Sequence, residues 1–441
     1  MEKLKMFNPK PTYATFVPAA SESFTKGTIE SLKADRPFPA GITLEDLNFW
    51  NENKLFNHPY VLQSLGGFKV GAWPNNAVTR ADKSKVQVIG DSGGYQIGKG
   101  TLKGFKELKN VKNAQEAINV WERADHVRNW VLTTSEAFTG FAMTLDMPLW
   151  AKTPDGKDSP FADCSIDELL SMTVDNLKFI EFYKQDQTQW LNVVHGIDTE
   201  TTDLWWNAVK EFQLSGWALA GGAGAKGGLA QTLRTVLTMR DDGAFKPGLN
   251  TLHVLGVSTL KWAIALTAIQ KQLRFVNPDI WVTFDSSSPF QQAMKYENVC
   301  LTPELGIDEK DWKISYIPCD QSYRYIGSSI PFKHNQSPIG KRLTLGHLNV
   351  KGGQFSDSHF DSVSKYLLCN HNVWVYVDAF NKANEAAFGP NKHELAPPSF
   401  INVLDIIEEA FTAEDWRNVL VKHKDALDAY ASNVYDESKK A

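Results

Sequence analysis

Three aspartates, Asp91, Asp146 and Asp285, each close a short apolar run, and this placement is the first chemical signal in the chain. Two carboxylates facing one substrate can divide labour: one attacks the anomeric carbon of a sugar, and the other moves a proton to or from the leaving group. Asp91 and Asp285 are the candidates for that pair. Singly, each also reads as an ordinary turn-capping aspartate. Glycines give the pair its company, because Gly93, Gly94, Gly221, Gly222 and Gly224 allow backbone to approach a flat ligand, and Tyr95 offers a ring for stacking. Asp146 can accept two hydrogen bonds at once, as the ring N–H and exocyclic amine of a purine would require, although it also fits a helix-capping residue ahead of Pro148.

Such residues need rigid elements behind them. The runs VQVIGD, GFAMTLD, WLNVVHG, GWALAGG, TLHVLGV and IWVTFD are apolar and rich in β-branched residues, the pattern of strands buried on both faces. Amphipathic stretches of helical length separate them. SIDELLSMTVDNLKFIEFYKQ opens with Ser165 and Glu168 in capping-box spacing; TETTDLWWNAVKEFQL and STLKWAIALTAIQKQL follow later strands. Six β-α units, with weaker strand candidates at YATFVPA and WKISYIP, predict an α/β protein with a parallel sheet. Chemistry at the ends of many different strands favours a closed (β/α)8 barrel over an open doubly wound sheet, since all strand C-termini of a barrel converge on one mouth. The predicted organisation is a barrel core over 1–302, an inserted subdomain without clear periodicity over 303–362, and a closing helix with C-terminal helices over 363–441.

Composition bounds the rest. A net charge of −5 over 441 residues gives no global signature of nucleic-acid binding, so such a partner needs a local patch. Lys99, Lys103, Lys106, Lys109 and Lys112 form one candidate, which also reads as a solvated face. Four cysteines without close spacing, an N-terminus lacking an apolar signal core, and no apolar run near the roughly 20 residues of a membrane helix predict a cytoplasmic protein that engages no membrane.

The ordered series DSGGYQ (91–96), MTLDMP (143–148), VVHG (193–196), ALAGGAG (218–224), HVLGVST (253–259) and FDSSSP (284–289) resembles the queuine/archaeosine tRNA-guanine transglycosylase family. The likeness runs from about residue 10 to residue 300, with a further echo at HNVW (371–374). It implies a (β/α)8 barrel that exchanges guanine for a 7-deazaguanine without breaking the polynucleotide backbone. It further implies Asp285 as the nucleophile at C1′ and Asp91 as the general acid and base. Ser92, Gly93, Gly94, Tyr95, Asp146, His195, Gly196, Gly221 and Gly222 would surround the base, which must be flipped out of its stack. No cofactor is required for that chemistry.

The chain departs from the family pattern in three places. His195 stands where the family carries Gln, and SSSPFQQ follows the nucleophile position where the family has a Cys and then a Pro-Thr-Arg run. The family's structural zinc motif, Cys-x-Cys-x-x-Cys with a later His-Asn, is reduced to Cys319, with Gln321 and Arg324 at the other two spacings, and His371-Asn372. Cys300, Cys319, Cys369 and His371 are the candidates for a rearranged zinc set, their alternative being buried thiols and a hydrogen-bonded histidine. The losses fall on tRNA-reading features and spare the base-exchange residues. The chain is therefore similar to the divergent branch, found in bacterial DNA-modification clusters and bacteriophages, that acts on DNA. The expected partners are guanine-containing DNA, a free 7-deazaguanine such as 7-cyano-7-deazaguanine, and host or phage proteins. A tRNA substrate and a non-catalytic binding subunit are the alternatives, the second disfavoured by retention of both Asp91 and Asp285.

Overall fold

A computed structural model describes residues 11–29, 36 and 38–431. Eight parallel strands form one sheet: β1 (Thr15–Pro18), β2 (Tyr60–Ser64), β3 (Gln87–Asp91), β4 (Phe141–Met143), β5 (Gln189–Val194), β6 (Gly216–Leu219), β7 (Thr251–Val254) and β8 (Trp281–Ser286). The ladder runs β1-β8-β7-β6-β5-β4-β3-β2. Its two ends meet where Ala20 donates its amide to the Leu62 carbonyl at 2.9 Å, beside a parallel bridge between Ala19 and Leu62. The result is a nearly closed (β/α)8-type barrel.

Strand after strand is buried because each has the barrel interior on one side and the helical ring on the other. Val17, Leu62, Ile89, Phe141, Met143, Leu191, Val193, Ala218 and Trp281 pack together as the interior cluster. The indole of Trp281 is satisfied by donating to Thr15 Oγ1 at 2.9 Å. Alternate side chains on the same strands, such as Val88, Trp217, Leu252 and Phe284, join the larger cluster under the helices.

The helices start where the sequence says they should. Ile166–Tyr183 is opened by the Ser165/Glu168 capping box, with Glu168 N to Ser165 Oγ at 3.1 Å and Ser165 N to Glu168 Oε2 at 2.7 Å. Thr199–Val209 and Leu260–Leu273 follow β5 and β7. No described helix is long and apolar enough to cross a membrane.

One strand expectation changes. YATFVPA contains β1, but WKISYIP is not a barrel strand: its Ser315–Pro318 (β10) pairs antiparallel with Asn298–Leu301 (β9) in a separate two-stranded sheet. The remaining barrel strand is β2, YVLQS. Gln63 disguises it, a buried polar residue that accepts from Thr25 Oγ1 and Asn76 Nδ2 at 3.3 and 3.0 Å.

Residues 303–362 carry the second strand of that hairpin and several short turns. Their apolar side chains, among them Trp312, Phe332, Leu345 and Phe360, join the same core cluster as the barrel helices. A 27-residue helix, Ser362–Phe388, packs against β9 and against the helices flanking β8. Pro398–Thr412, Trp416–Lys422 and Lys424–Ala431 complete the described chain.

Candidate active site

Asp91 ends β3, and its carboxylate is held by the turn that follows. Its Oδ1 accepts from the Gly93 amide at 3.3 Å, and Ser64, at the end of neighbouring β2, adds a side-chain bond. Burial nevertheless raises the carboxyl pKa above the ordinary 3.8, and the charges of Asp146 and Asp285 push the same way. A raised pKa favours a carboxyl that carries a proton.

Asp285 sits on β8, with β4 to β7 between it and Asp91 in the sheet. Its Oδ1 accepts from the Gly256 amide at 3.0 Å and lies 3.3 Å from His253 Nε2. His253 is wholly buried, and its Nδ1 is 2.8 Å from Thr283 Oγ1. With Nε2–H donating to the carboxylate, Nδ1 accepts from the threonine hydroxyl, so β7 and β8 together fix one tautomer and one orientation. Both donors use Oδ1, leaving Oδ2 outside these bonds.

Asp146 follows β4 and His195 follows β5. Asp146 Oδ2 and His195 Nε2 are 2.9 Å apart, while His195 Nδ1 is buried with no hydrogen-bond partner among the described residues. The loop beyond β6 crowds that imidazole. Gly221 has φ +59°, and a Cβ there would meet the Gly196 carbonyl oxygen at 2.7 Å and His195 Nδ1 at 3.2 Å. The Gly222 amide donates to the same Gly196 oxygen at 2.6 Å.

All of this opens onto a cavity of about 1140 Å³ lined by Asp91, Asp146, His195, Gly221 and Asp285, with Gly94 and Tyr95 at one edge. Ligand pockets commonly span about 300–1,000 Å³, so the space exceeds what one nucleobase fills. Tyr95 is 60% exposed, with its ring 5.4 Å from that of Trp150, a second lining residue. Lys99 lies over both rings, 4.9 Å from the Trp150 centroid and 5.9 Å from that of Tyr95. Trp150 and Lys99 thus form part of the rim, and the sequence signal for Trp150 is only its spacing from Asp146.

Four residues expected to surround a base stand behind the cavity instead. Ser92 is buried beneath it. Gly93 adopts φ +84°, and a Cβ would strike the backbone of Gly66 at 2.7 Å, so its lack of a side chain serves strand-loop packing and not ligand clearance. A Cβ on Gly196 would collide with Thr202 Oγ1 at 1.9 Å, and one on Gly222 with the Ile197 carbonyl at 2.6 Å. These three glycines let the loops close behind the site.

The lysine group divides as well. Lys103 is engaged by Glu22 at 3.2 Å and by the Gly67 carbonyl at 2.7 Å, whereas Lys106, Lys109 and Lys112 stand exposed along the neighbouring surface.

The zinc candidates do not assemble. Both His371 nitrogens are engaged, Nδ1 with Ser337 Oγ at 2.7 Å and Nε2 with the Cys300 carbonyl at 3.1 Å, and burial lowers its pKa to about 4. Burial raises the Cys319 thiol to about 12 and pushes those of Cys300 and Cys369 up further, opposite to the thiolate a metal needs. No cluster of three or more His, Cys, Asp or Glu side chains suited to a metal occurs among the described residues.

Comparison of the chain with protein-family models, curated proteins and solved structures finds no match in any of the three.

Proposed function

We propose that this protein is a pentosyltransferase, a DNA-guanine transglycosylase that exchanges guanine in DNA for a 7-deazaguanine through a covalent aspartyl-sugar intermediate. One observation carries the reading: a carboxyl biased towards its acid form, Asp91, and a hydrogen-bonded carboxylate, Asp285, face one cavity from well-separated strands. Environments that differ in this way assign acid and nucleophile to two like groups.

The geometry supports the following roles. Asp285 Oδ2 attacks C1′ of the flipped nucleotide while Oδ1 stays anchored by Gly256 N–H and His253. The C1′–N9 bond breaks, its electron pair passes to guanine, and guanine takes the Asp91 proton. Guanine leaves; an ester joins Asp285 to C1′, and Asp91 is a carboxylate. The incoming 7-deazaguanine gives its N9 proton to Asp91, its N9 attacks C1′, and the ester bond breaks, restoring both residues. Tyr95 supplies a stacking face and Asp146 an acceptor for the base edge, with His195 setting the Asp146 orientation.

DNA is favoured over tRNA because SSSPFQQ and the His371 network stand where the resembling family keeps its anticodon-reading arginine and zinc ligands. Incubation of the protein with radiolabelled 7-cyano-7-deazaguanine and either DNA or tRNA tests the reading. Label is expected in DNA alone. Label in tRNA alone overturns the substrate, and label in neither overturns the activity. Wild type should also form a denaturation-resistant adduct with DNA, and Asp285→Asn should form none; an equal adduct from the variant excludes Asp285 as nucleophile.

A further inference from the structure

The 1140 Å³ cavity continues past Asp285 along the loop after β7 and on to Trp312 and Phe400. Helix Leu260–Leu273 begins on this wall. Its N-cap position is Thr259, a residue type that normally accepts from the first-turn amides, yet it makes no side-chain cap bond. Thr259 Oγ1 is buried with no partner, and the amides of Leu260, Lys261 and Trp262 have no acceptor among the described residues. An uncapped helix start with 14 residues of aligned peptide dipoles behind it favours an anion.

Lys261, on the first turn, is the independent observation. It is 8% exposed and lines the same cavity, but no described residue gives its ammonium a hydrogen bond or an ion pair. Its ammonium lies over the face of Tyr430, 5.6 Å from the ring centre. Tyr430 in turn donates its hydroxyl to the Lys261 main-chain carbonyl at 2.5 Å, which holds the backbone of the lysine and not its ammonium. Of the other charged residues on this side, Glu309 accepts from Ser399 Oγ at 2.5 Å and Lys310 pairs with Asp308 at 2.6 Å. Glu309 is the carboxylate whose charge acts on the Lys261 ammonium, from beyond ion-pair distance, and a largely buried cation held only at that range gains from an anionic ligand.

We propose that Thr259, Lys261 and the first-turn amides of this helix form a phosphate seat that binds a phosphodiester flanking the nucleotide undergoing exchange. The proposal rests on the base-exchange reading, which brings a sugar to Asp285 and so places the two phosphates of that nucleotide one sugar's width away. Asp285 and the seat belong to adjacent βα units, and the loops after the seventh and eighth strands are where (β/α)8 proteins frequently bind phosphate.

The test is the salt dependence of binding to a fluorescent single-stranded DNA oligomer containing one guanine, for wild type, Lys261→Met and Thr259→Val. Loss of one phosphate contact should reduce the slope of log K against log salt by about 0.7. Lys261→Met should weaken binding about tenfold at low salt, and Thr259→Val by less. Thermal unfolding of each variant separates this from loss of fold. An oligomer with methylphosphonate linkages on both sides of the guanine should bind wild type as weakly as the native oligomer binds Lys261→Met, with no further loss on the variant.

Unchanged slope and affinity in both variants overturn the seat. Competition by inorganic phosphate with an oligomer affinity indifferent to Lys261 shows a free-anion site and overturns the polynucleotide assignment. If labelled base enters neither DNA nor tRNA while the Lys261-dependent slope remains, the exchange reading fails and the seat stands.

Discussion

At the scale of single residues, two aspartates from similar strand ends differ by what surrounds them. Asp91 is half-buried near two other carboxylates, and that environment raises its pKa. Between the ordinary 3.8 and this raised value the native state holds a proton that the unfolded chain has released. Asp91 therefore lowers stability as pH rises through that window, and the loss persists at neutral pH. Asp91→Asn should abolish exchange yet raise stability at pH 7 by about 1 kcal/mol, as is common when a functional carboxylate is neutralised. Urea midpoints at pH 7 and pH 3 check this, since the gain should shrink at the lower pH. His253 acts differently, because it touches Asp285 and does not line the site cavity. His253→Phe should slow adduct formation about 10- to 100-fold, the range of a lost orienting hydrogen bond, with the KM for free base unchanged. A change confined to KM would remove its positioning role.

At the scale of elements, the loop after β3 shows how adjacent glycines can serve different ends. Gly93 needs its left-handed conformation and its contact with Gly66, whereas a Cβ on Gly94 would sit at an ordinary 3.5 Å from the Asp146 main-chain oxygen and Oδ1. Gly93→Ala should destabilise the protein by about 1–3 kcal/mol through strain and overpacking. Gly94→Ala should keep the wild-type Tm and raise the KM for free base about tenfold by narrowing the cavity. Thermal unfolding and base-exchange kinetics on both variants check the contrast, which fails if the two behave alike. The same loop explains why the site is only partly legible in sequence. Asp91, Asp146 and Asp285 are visible because doubly buried strands are apolar and a carboxylate at the end of one is conspicuous. Ser64 and Trp150 are not, since nothing in QSLGG or PLW distinguishes a group that meets another loop across the barrel mouth.

At the scale of the whole molecule, two histidines tie distant segments together. His58 bonds the Phe16 carbonyl at 2.8 Å, and His371 joins the 362–388 helix to Ser337 and to β9. Burial is the largest effect on both and lowers each pKa to about 4. From about pH 6.5 down to about pH 4 the unfolded chain binds protons that the native histidines refuse, so stability falls as pH falls. The drop should be on the order of 2–3 kcal/mol per histidine. His371→Gln should flatten the acid limb of the urea midpoint against pH, and a limb as steep as that of wild type would contradict the assignment. Around His371 stand the Cys300 carbonyl, Ser337, the Phe332 ring and His334, a set that offers no carboxylate to offset its charge.

By itself the sequence determined the class of the fold and the identity of the three carboxylates. Burial on both faces dictates the composition of a strand, and a capping box dictates where a helix such as Ile166–Tyr183 starts. Only the tertiary structure decided which segments close the barrel. YVLQS and SYIP are comparable short runs, and partners remote in sequence place the first between β1 and β3 and the second against β9. Tertiary contacts alone also decided which glycines face the cavity, which aspartate has its pKa raised by burial, and that Lys261 is buried without an ion pair among the described residues. Each of these depends on atoms brought together across the sheet, and neither residue type nor spacing encodes a distance of that kind.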